Sequence, residues 1–290
     1  MSRSIAGKIK INSFADIVGG DDTAITEIPL SDLYEFKGHP FRVLDDEKME
    51  ETVESVKKYG VLMPGIVRPR VEGGYEIVAG HRRKRACELA GLETMPVLIR
   101  NYSDDEATVA MVDTNLQRED ILPSEKAHAY RMKYDAMKHQ GSGGGNTFEQ
   151  IGETAGESGK TVQRYICLSK LSEELLTLVD EKKLPIRSGV ELSYLNEKEQ
   201  AWVLAIIKDQ GIMVSPAQAT KLKGYSLDKE LTNALIREIL SEEKSKQGNV
   251  TFKATTLNKY FDENYSSEDI QKTIIKLLLC MLWLIFLSSR

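Results

Sequence analysis

The spacing of apolar residues changes character along the chain. From Asp46, the residues Met49, Val53 and Val56 recur at i, i+4 and i+7 and lay one apolar stripe on a helix. Gly60 follows that stripe and suits the left-handed position beyond a helix end, so the helix is predicted to stop near Tyr59. Three short β-type runs come next: Gly65 to Pro69, the alternating Tyr75-Glu-Ile-Val-Ala79, and Pro96 to Arg100. Glu72-Gly73-Gly74 supplies a turn between the first two, and Arg82 to Ala90 reads as a helix ended by Gly91.

After Asn101 the period-2 signal disappears. Ser103 and Glu106 have capping-box spacing for a helix running towards Asn115. A further helix follows Pro123 and is expected to break at Gly141-Ser-Gly-Gly-Gly145, a flexible link. From Thr147 onward nearly everything is helical, with breaks expected at Pro185, Gly211 and Gly224-Tyr225. Glu242 to Asn249 is polar and reads as a linker, and a strand-like VTFKA precedes more helix. The expected fold is α+β: a flexible arm at 1–29, a small α+β domain at 30–120, an all-helical domain at 121–225, and a mostly helical C-terminal region at 226–290 suited to dimerisation.

Composition narrows the class. The 290 residues carry 39 Lys+Arg against 44 Asp+Glu, a net charge of −5, with 29% charged and 41% hydrophobic positions. That length accommodates two or three cores, and the charge density argues against an integral membrane protein. Cys87, Cys167 and Cys280 lie far apart, which gives neither a disulfide framework nor a zinc spacing and fits a reducing cytoplasm. The first residues, MSRSIAGKIKINSF, contain no apolar run of the length a secretory signal needs. Leu277 to Leu287, LLLCMLWLIFL, is about half the roughly 20 residues of a spanning helix. It suits either burial between subunits or an altered terminus. Slight net acidity leaves nucleic-acid binding open, because local clustering of basic groups decides that.

Residues 147–168, TFEQIGETAGESGKTVQRYICL, have helix-turn-helix spacing. Ile151, Ala155, Val162 and Tyr165 form an inner apolar set, Gly152 and Gly156 allow close approach and the turn, and Thr147 with Gln150 is placed to cap the first helix. The second helix then turns Lys160, Thr161, Gln163 and Arg164 outwards, where they could reach phosphates or base edges, with Lys170 adding charge nearby. Glu153 and Glu157 offset that charge, and an ordinary helical hairpin with a solvated face is the competing reading.

Gly80-His-Arg-Arg-Lys-Arg-Ala86 stands between a strand and a helix. Backbone N–H groups converge at such a turn, and four adjacent basic residues favour an anion there. A solvated or nucleic-acid-facing helix surface is the alternative to a nucleotide pocket. His81 has no Ser, Cys or Asp arrangement around it in sequence that would make it a catalytic base. In Asp113-Thr-Asn-Leu-Gln-Arg-Glu-Asp120, Asn115 and Arg118 are three apart on one helical face and could meet the same polyphosphate or its Mg²⁺; a polar helix end would look the same.

Taken in order, these segments resemble the ParB family of DNA-partition proteins. The resemblance rests on His39-Pro-Phe-Arg42, Gly60-Val-Leu-Met-Pro-Gly-Ile-Val-Arg-Pro69, Ala79-Gly-His-Arg-Arg-Lys-Arg-Ala86, Thr114-Asn-Leu-Gln-Arg-Glu-Asp120 and the helix-turn-helix, and spans about residues 28 to 225. It implies a cytoplasmic, nucleoid- or plasmid-associated homodimer that recognises an inverted-repeat, centromere-like site in double-stranded DNA. It further implies CTP with Mg²⁺ in the N-terminal domain, closure as a clamp, and a ParA-type ATPase as partner. By motif position, Arg42, Gly80, His81, Arg82, Arg83, Asn115 and Arg118 would line the triphosphate, with Asn115 at the metal and Pro64 to Ile66 near the base.

Two positions depart from the family pattern: Thr114 and His81 stand where family members that hydrolyse CTP commonly carry Glu. Thr cannot ionise, so binding is expected and cleavage is expected to be slow or absent. Asp113 points about 100° away on a helix, and Asp113 or Glu119 would be the remaining candidates for a base. The basic arm, with Arg3, Lys8 and Lys10, would suit insertion into the partner ATPase. A transcriptional or nucleoid-associated regulator without a ParA partner is the alternative function. An enzyme of nuclease or phosphotransferase type would need a carboxylate cluster that the sequence does not display.

Overall fold

The computed structural model describes residues 24–118, 120–141 and 147–241, and in the C-terminal part 254–257, 260–261, 265–266 and 268–277. The chain divides into two compact units, Met1–Ser241 and Glu242–Arg290. Within the second, Ala254–Leu257 and residues 268–277 are helical. The Glu242–Asn249 linker, most of VTFKA, the Gly-rich link after Gly141 and the apolar run beyond Leu277 lie outside the described residues, as do residues 1–23.

The first unit opens on a mixed five-stranded sheet in the order β1-β5-β3-β4-β2, made of β1 (Ile25–Pro29), β2 (Leu33–Tyr34), β3 (Gly65–Pro69), β4 (Tyr75–Ala79) and β5 (Thr94–Ile99). β3 pairs antiparallel with β4 (Val67 opposite Ile77) and parallel with β5 (Ile66 opposite Leu98). Alternation decides which core each side chain joins. Val67 and Ile77 point to one face, where they pack with Met49, Val56, Ala86 and Cys87 of α1 (Glu47–Tyr59) and α2 (His81–Ala90). Ile66 and Val78 point to the other, against Ala107, Ala110 and Met111 of α3 (Asp104–Leu116).

The predicted ends of these helices hold. Asp46 accepts the Met49 N–H at 2.9 Å and caps α1, Gly60 ends it at φ 70°, and Ser103 and Glu106 form the reciprocal capping box of α3.

That second core continues past the sheet. Besides α3 it contains Ala129 and Tyr130 of α4 (Pro123–His139), Ile151 of α5 (Thr147–Ala155), and Val162 and Ile166 of α6 (Gly159–Leu168). α3 therefore lies between the sheet and the helical region, covered on both sides. A third core gathers Leu175, Leu176, Leu192, Val203, Ile206, Leu222 and Ile236 from α7 (Glu173–Asp180), α8 (Ile186–Leu192), α9 (Glu197–Gln210), α10 (Pro216–Leu227) and α11 (Asn233–Ser241).

Three local expectations need correction. Residues 25–29, expected in the arm, form the edge strand β1, paired antiparallel with β5 from Ile25 opposite Leu98 to Pro29 opposite Thr94. Only Ile28 in that strand is buried, so backbone pairing specifies it and the side-chain pattern is nearly silent. The break expected at Gly224-Tyr225 is absent: α10 runs through both residues, Gly224 has open space around it, and the turn comes at Lys229 with φ 62°. A lysine in that left-handed conformation carries no sequence signature. Thr147 is itself helical and buried, where a cap would lie just outside the helix.

Candidate functional site

The basic turn is built on two glycines. Gly80 adopts φ 116°, a conformation that disfavours any side chain, and a Cβ there would stand 3.2 Å from the Gly65 Cα. The start of β3 and the strand-to-helix turn are pressed backbone to backbone. No side chain caps the first turn of α2, so its N–H groups remain directed out of the turn towards any anion.

The basic side chains around this turn already have partners. Arg82 donates to Asp46 Oδ1 at 3.1 Å, and Arg85 to Asp45 Oδ2 at 2.6 Å, both at the start of α1. These arginines hold the Asp45 and Asp46 carboxyls below their usual range. Arg83 turns the other way, donating to the Met63 carbonyl at 2.6 Å and to that of Pro64, and so braces the loop before β3. Burial lowers its pKa. Lys84 pairs with Glu88 at 3.3 Å.

Other segments converge on the same place. The His39 ring packs against His81 at a 36° tilt with centroids 3.8 Å apart, and Arg118 lies close enough to lower the His39 pKa electrostatically, after burial as the main cause. Lys48 pairs with Asp120. The Arg42 backbone N–H donates to Glu125 Oε1 at 2.8 Å, and Glu125 also accepts the Leu122 N–H at 3.1 Å. Thus the segments around His39, Pro64, Gly80 and Asn115, up to 79 residues apart in sequence (118 − 39), form one neighbourhood.

At its edge, Asn115 Nδ2 donates to the Met111 carbonyl at 2.8 Å, which leaves Oδ1 to accept or to ligate. Thr114 Oγ1 donates to the Ala110 and Met111 carbonyls, both at 3.0 Å. Asp113, a candidate base from sequence, is turned away into a buried pair with Lys133 of α4, whose ammonium also donates to Thr154 Oγ1 at 2.7 Å. Glu119 lies outside the described residues. No cluster of three or more metal-ligating side chains occurs among the described residues. The donor set fits a polyphosphate, and it fits Mg²⁺ with Asn115 Oδ1 as a single protein oxygen beside phosphate oxygens and water.

The helix-turn-helix is tightly constrained. A Cβ on Gly152 would meet the Glu157 carbonyl at 2.3 Å, and Gly156 makes the turn at φ 67°. Ser158 caps α6 by accepting the Thr161 N–H at 3.2 Å, and Ile151 and Val162 are fully buried. Lys160, Gln163, Arg164 and Lys170 are exposed, whereas Thr161 is half-buried with its hydroxyl 2.9 Å from that of Ser158. Glu157 is drawn inward by Lys126 and by the Tyr130 hydroxyl at 3.0 Å, so it detracts less from the positive outer face than its place in sequence suggests.

Residues 16–116 match the ParB N-terminal domain and residues 119–223 match the ParB HTH domain. The chain belongs to the ParB family. A probable chromosome 1-partitioning protein ParB of Deinococcus radiodurans is 32% identical over 72% of this chain and 70% of its own length. A nucleoid occlusion protein of Listeria monocytogenes is 30% identical over 73% of each. A C-terminally truncated chromosome-partitioning ParB from Caulobacter crescentus, crystallised with CTP-γ-S, is 27% identical, covering 64% of this chain and 98% of that one, with a TM-score of 0.31. No helix among the described residues is long and apolar enough to cross a membrane.

Within this ParB fold, sequence reasoning missed three participants. Glu125 occupies the third position of α4 and could have been noticed as a capping residue after Pro123. His39 belongs to the His39-Pro-Phe-Arg42 segment, whose residue types alone assign the ring no role. Lys133 gave no signal, since a lysine in a helix is normally read as solvated.

Proposed function

We propose that this chain is a sequence-specific DNA-binding partition protein that reads a palindromic, centromere-like site as a homodimer and closes as a clamp when CTP occupies the basic turn. The observation that carries the reading is the position of α3. Arg118, two residues past its end, acts on His39 beside the turn, and the flank of α3 packs in the same core as the helix-turn-helix. A change at the nucleotide therefore has a packed route to the DNA-reading helices.

In this reading Gln163 and Arg164 reach base edges and Lys160 and Lys170 reach phosphates. The α2 N–H groups with Arg82 hold the triphosphate, and Arg83 keeps the 63–64 loop in place beside the base. Bound Mg²⁺ would supply charge neutralisation across the phosphates. Thr114 is spent on backbone carbonyls and Asp113 on Lys133, so neither serves to deprotonate water, and cleavage of CTP is slow or absent. A ParA-type ATPase is the partner, stimulated by the basic N-terminal arm.

Chromatin immunoprecipitation with sequencing tests the reading: a sharp peak with broad flanks marks a loaded, spreading clamp. Many isolated peaks would instead favour the nucleoid-associated regulator, a reading supported by the Listeria relative.

A further inference from the structure

The paired histidines beside the turn have no explanation in the scaffold of the described residues. His39 Nε2 and His81 Nε2 are both buried and have no hydrogen-bond partner among the described residues, which folded proteins rarely tolerate. The Phe41 backbone favours a charged His39 ring. In the neutral tautomer that carries its proton on Nδ1, Nε2 presents a lone pair, and a lone pair repels a phosphate oxygen. Rings 3.8 Å apart also resist carrying two positive charges.

The surroundings set the direction of any change. Glu35 and Glu125 favour a charged His39, and Arg118 opposes it; His39 and Lys84 oppose a charged His81. Without a ligand, burial dominates both rings and keeps them neutral, His81 with its pKa lowered to about 3. A polyanion placed at the N-terminus of α2, one residue from Gly80, would reverse that balance.

Resting on the nucleotide reading above, we propose that His39 and His81 form one phosphate subsite that takes up a proton from solvent as a nucleoside triphosphate binds. The proton converts a repelling ring nitrogen into a charged N–H donor and satisfies a buried group that otherwise has no partner. The pair titrates as a unit, so one proton is shared between two rings. His81 thereby replaces an acceptor-only carboxylate with a donor that exists only when the site is filled, and nucleotide occupancy becomes sensitive to pH.

Calorimetry of the full-length chain with CTP and Mg²⁺, in two buffers of different ionisation enthalpy near pH 7.5, reads the proton directly. Uptake of about one proton per nucleotide is expected, with affinity weakening by about tenfold per pH unit from pH 7 to 8. Replacing both rings, His39→Gln with His81→Gln, keeps N–H donors and removes the titration, so this variant should show much reduced pH dependence in whatever CTP binding it retains. Because a variant could misfold, ¹⁵N-histidine NMR of the unmodified chain supplies a second reading: two ring nitrogens should shift to imidazolium values on adding CTP. Binding with buffer-independent heat, pH-independent affinity and unshifted histidines overturns the subsite and leaves the nucleotide reading standing. No CTP binding from pH 6 to 8 overturns both.

Discussion

The basic turn and the helix-turn-helix are both electropositive, yet they hold their charges differently. On α6, Lys160, Gln163 and Arg164 are exposed and engaged by no described residue, while the scaffold beneath them is locked by Gly152, Gly156 and the Lys126–Glu157 pair. At the turn, Arg82, Arg83, Arg85 and Asn115 are already bonded within the protein. The outer face of α6 is open, whereas the groups at the basic turn are already engaged. A ligand at the turn must exchange internal bonds for its own, so its arrival necessarily alters how α1, α2 and the loop before β3 are held together.

The strongest way to break this contrast is to damage both regions at once. Asp113→Ala strands the buried Lys133 ammonium between α3, α4 and α5, and should lower unfolding free energy by about 3–5 kcal/mol in urea melts. A loss confined to either CTP or DNA binding would show that the node is not shared. Next in size, Gly152→Ala forces a Cβ against the Glu157 carbonyl and should cost at least about 1–3 kcal/mol, read by thermal melting. Gln163→Ala or Arg164→Ala should instead leave melting unchanged and weaken specific DNA binding by roughly 1–3 kcal/mol per lost base contact, with random-sequence DNA little affected. Equal losses on both DNAs would remove the base-reading role.

A smaller effect separates the two regions by pH. The folded chain keeps His81 neutral down to about pH 3, whereas an ordinary histidine takes its proton near 6.5. Between those values the unfolded state binds more protons, so stability falls as pH drops below about 6.5. His81→Gln should flatten the decline in melting temperature between pH 7 and 5. The carboxyls held low by Arg82 and Arg85 stabilise the fold above their ordinary 3.8 and lose that contribution only as pH falls below it, outside this window. Smallest of all, Arg82→Ala removes a solvent-screened pair and should barely move the melting temperature, yet it should weaken CTP measurably. A large stability loss would mean that the pair is structural.

Much of this could be read from residue order. α1 was visible through Met49, Val53, Val56 and Gly60, the central strands through their flanking glycines, and the helix-turn-helix through Gly152 and Gly156. What stayed hidden depends on partners distant in sequence. β1 has one buried side chain and exists because β5 offers it an edge. α10 runs through Gly224 and ends at Leu227, with Lys229 turning the chain at φ 62°, a conformation that a lysine does not announce in sequence. For the site, the motif residues were identifiable by type, but type does not reveal prior engagement. That Arg83 grips the Met63 and Pro64 carbonyls, that Asp113 serves Lys133, and that His39 lies on His81 are facts of folding across 19 to 42 residues.

The core shared by the sheet, α3, α4, α5 and α6 bears on how the molecule can be taken apart. A cut near residue 120, where motif boundaries invite one, would leave Ala107, Ala110, Met111 and Val112 of the front half facing water where Tyr130, Ile151 and Val162 had been. The trimmed front piece would present a sticky apolar strip and favour aggregation, and the back piece would lose the wall against which its first helices set. Soluble dissection is better served by keeping residues 24–241 together, so that the basic turn and the helix-turn-helix are purified, heated and titrated as one cooperative object.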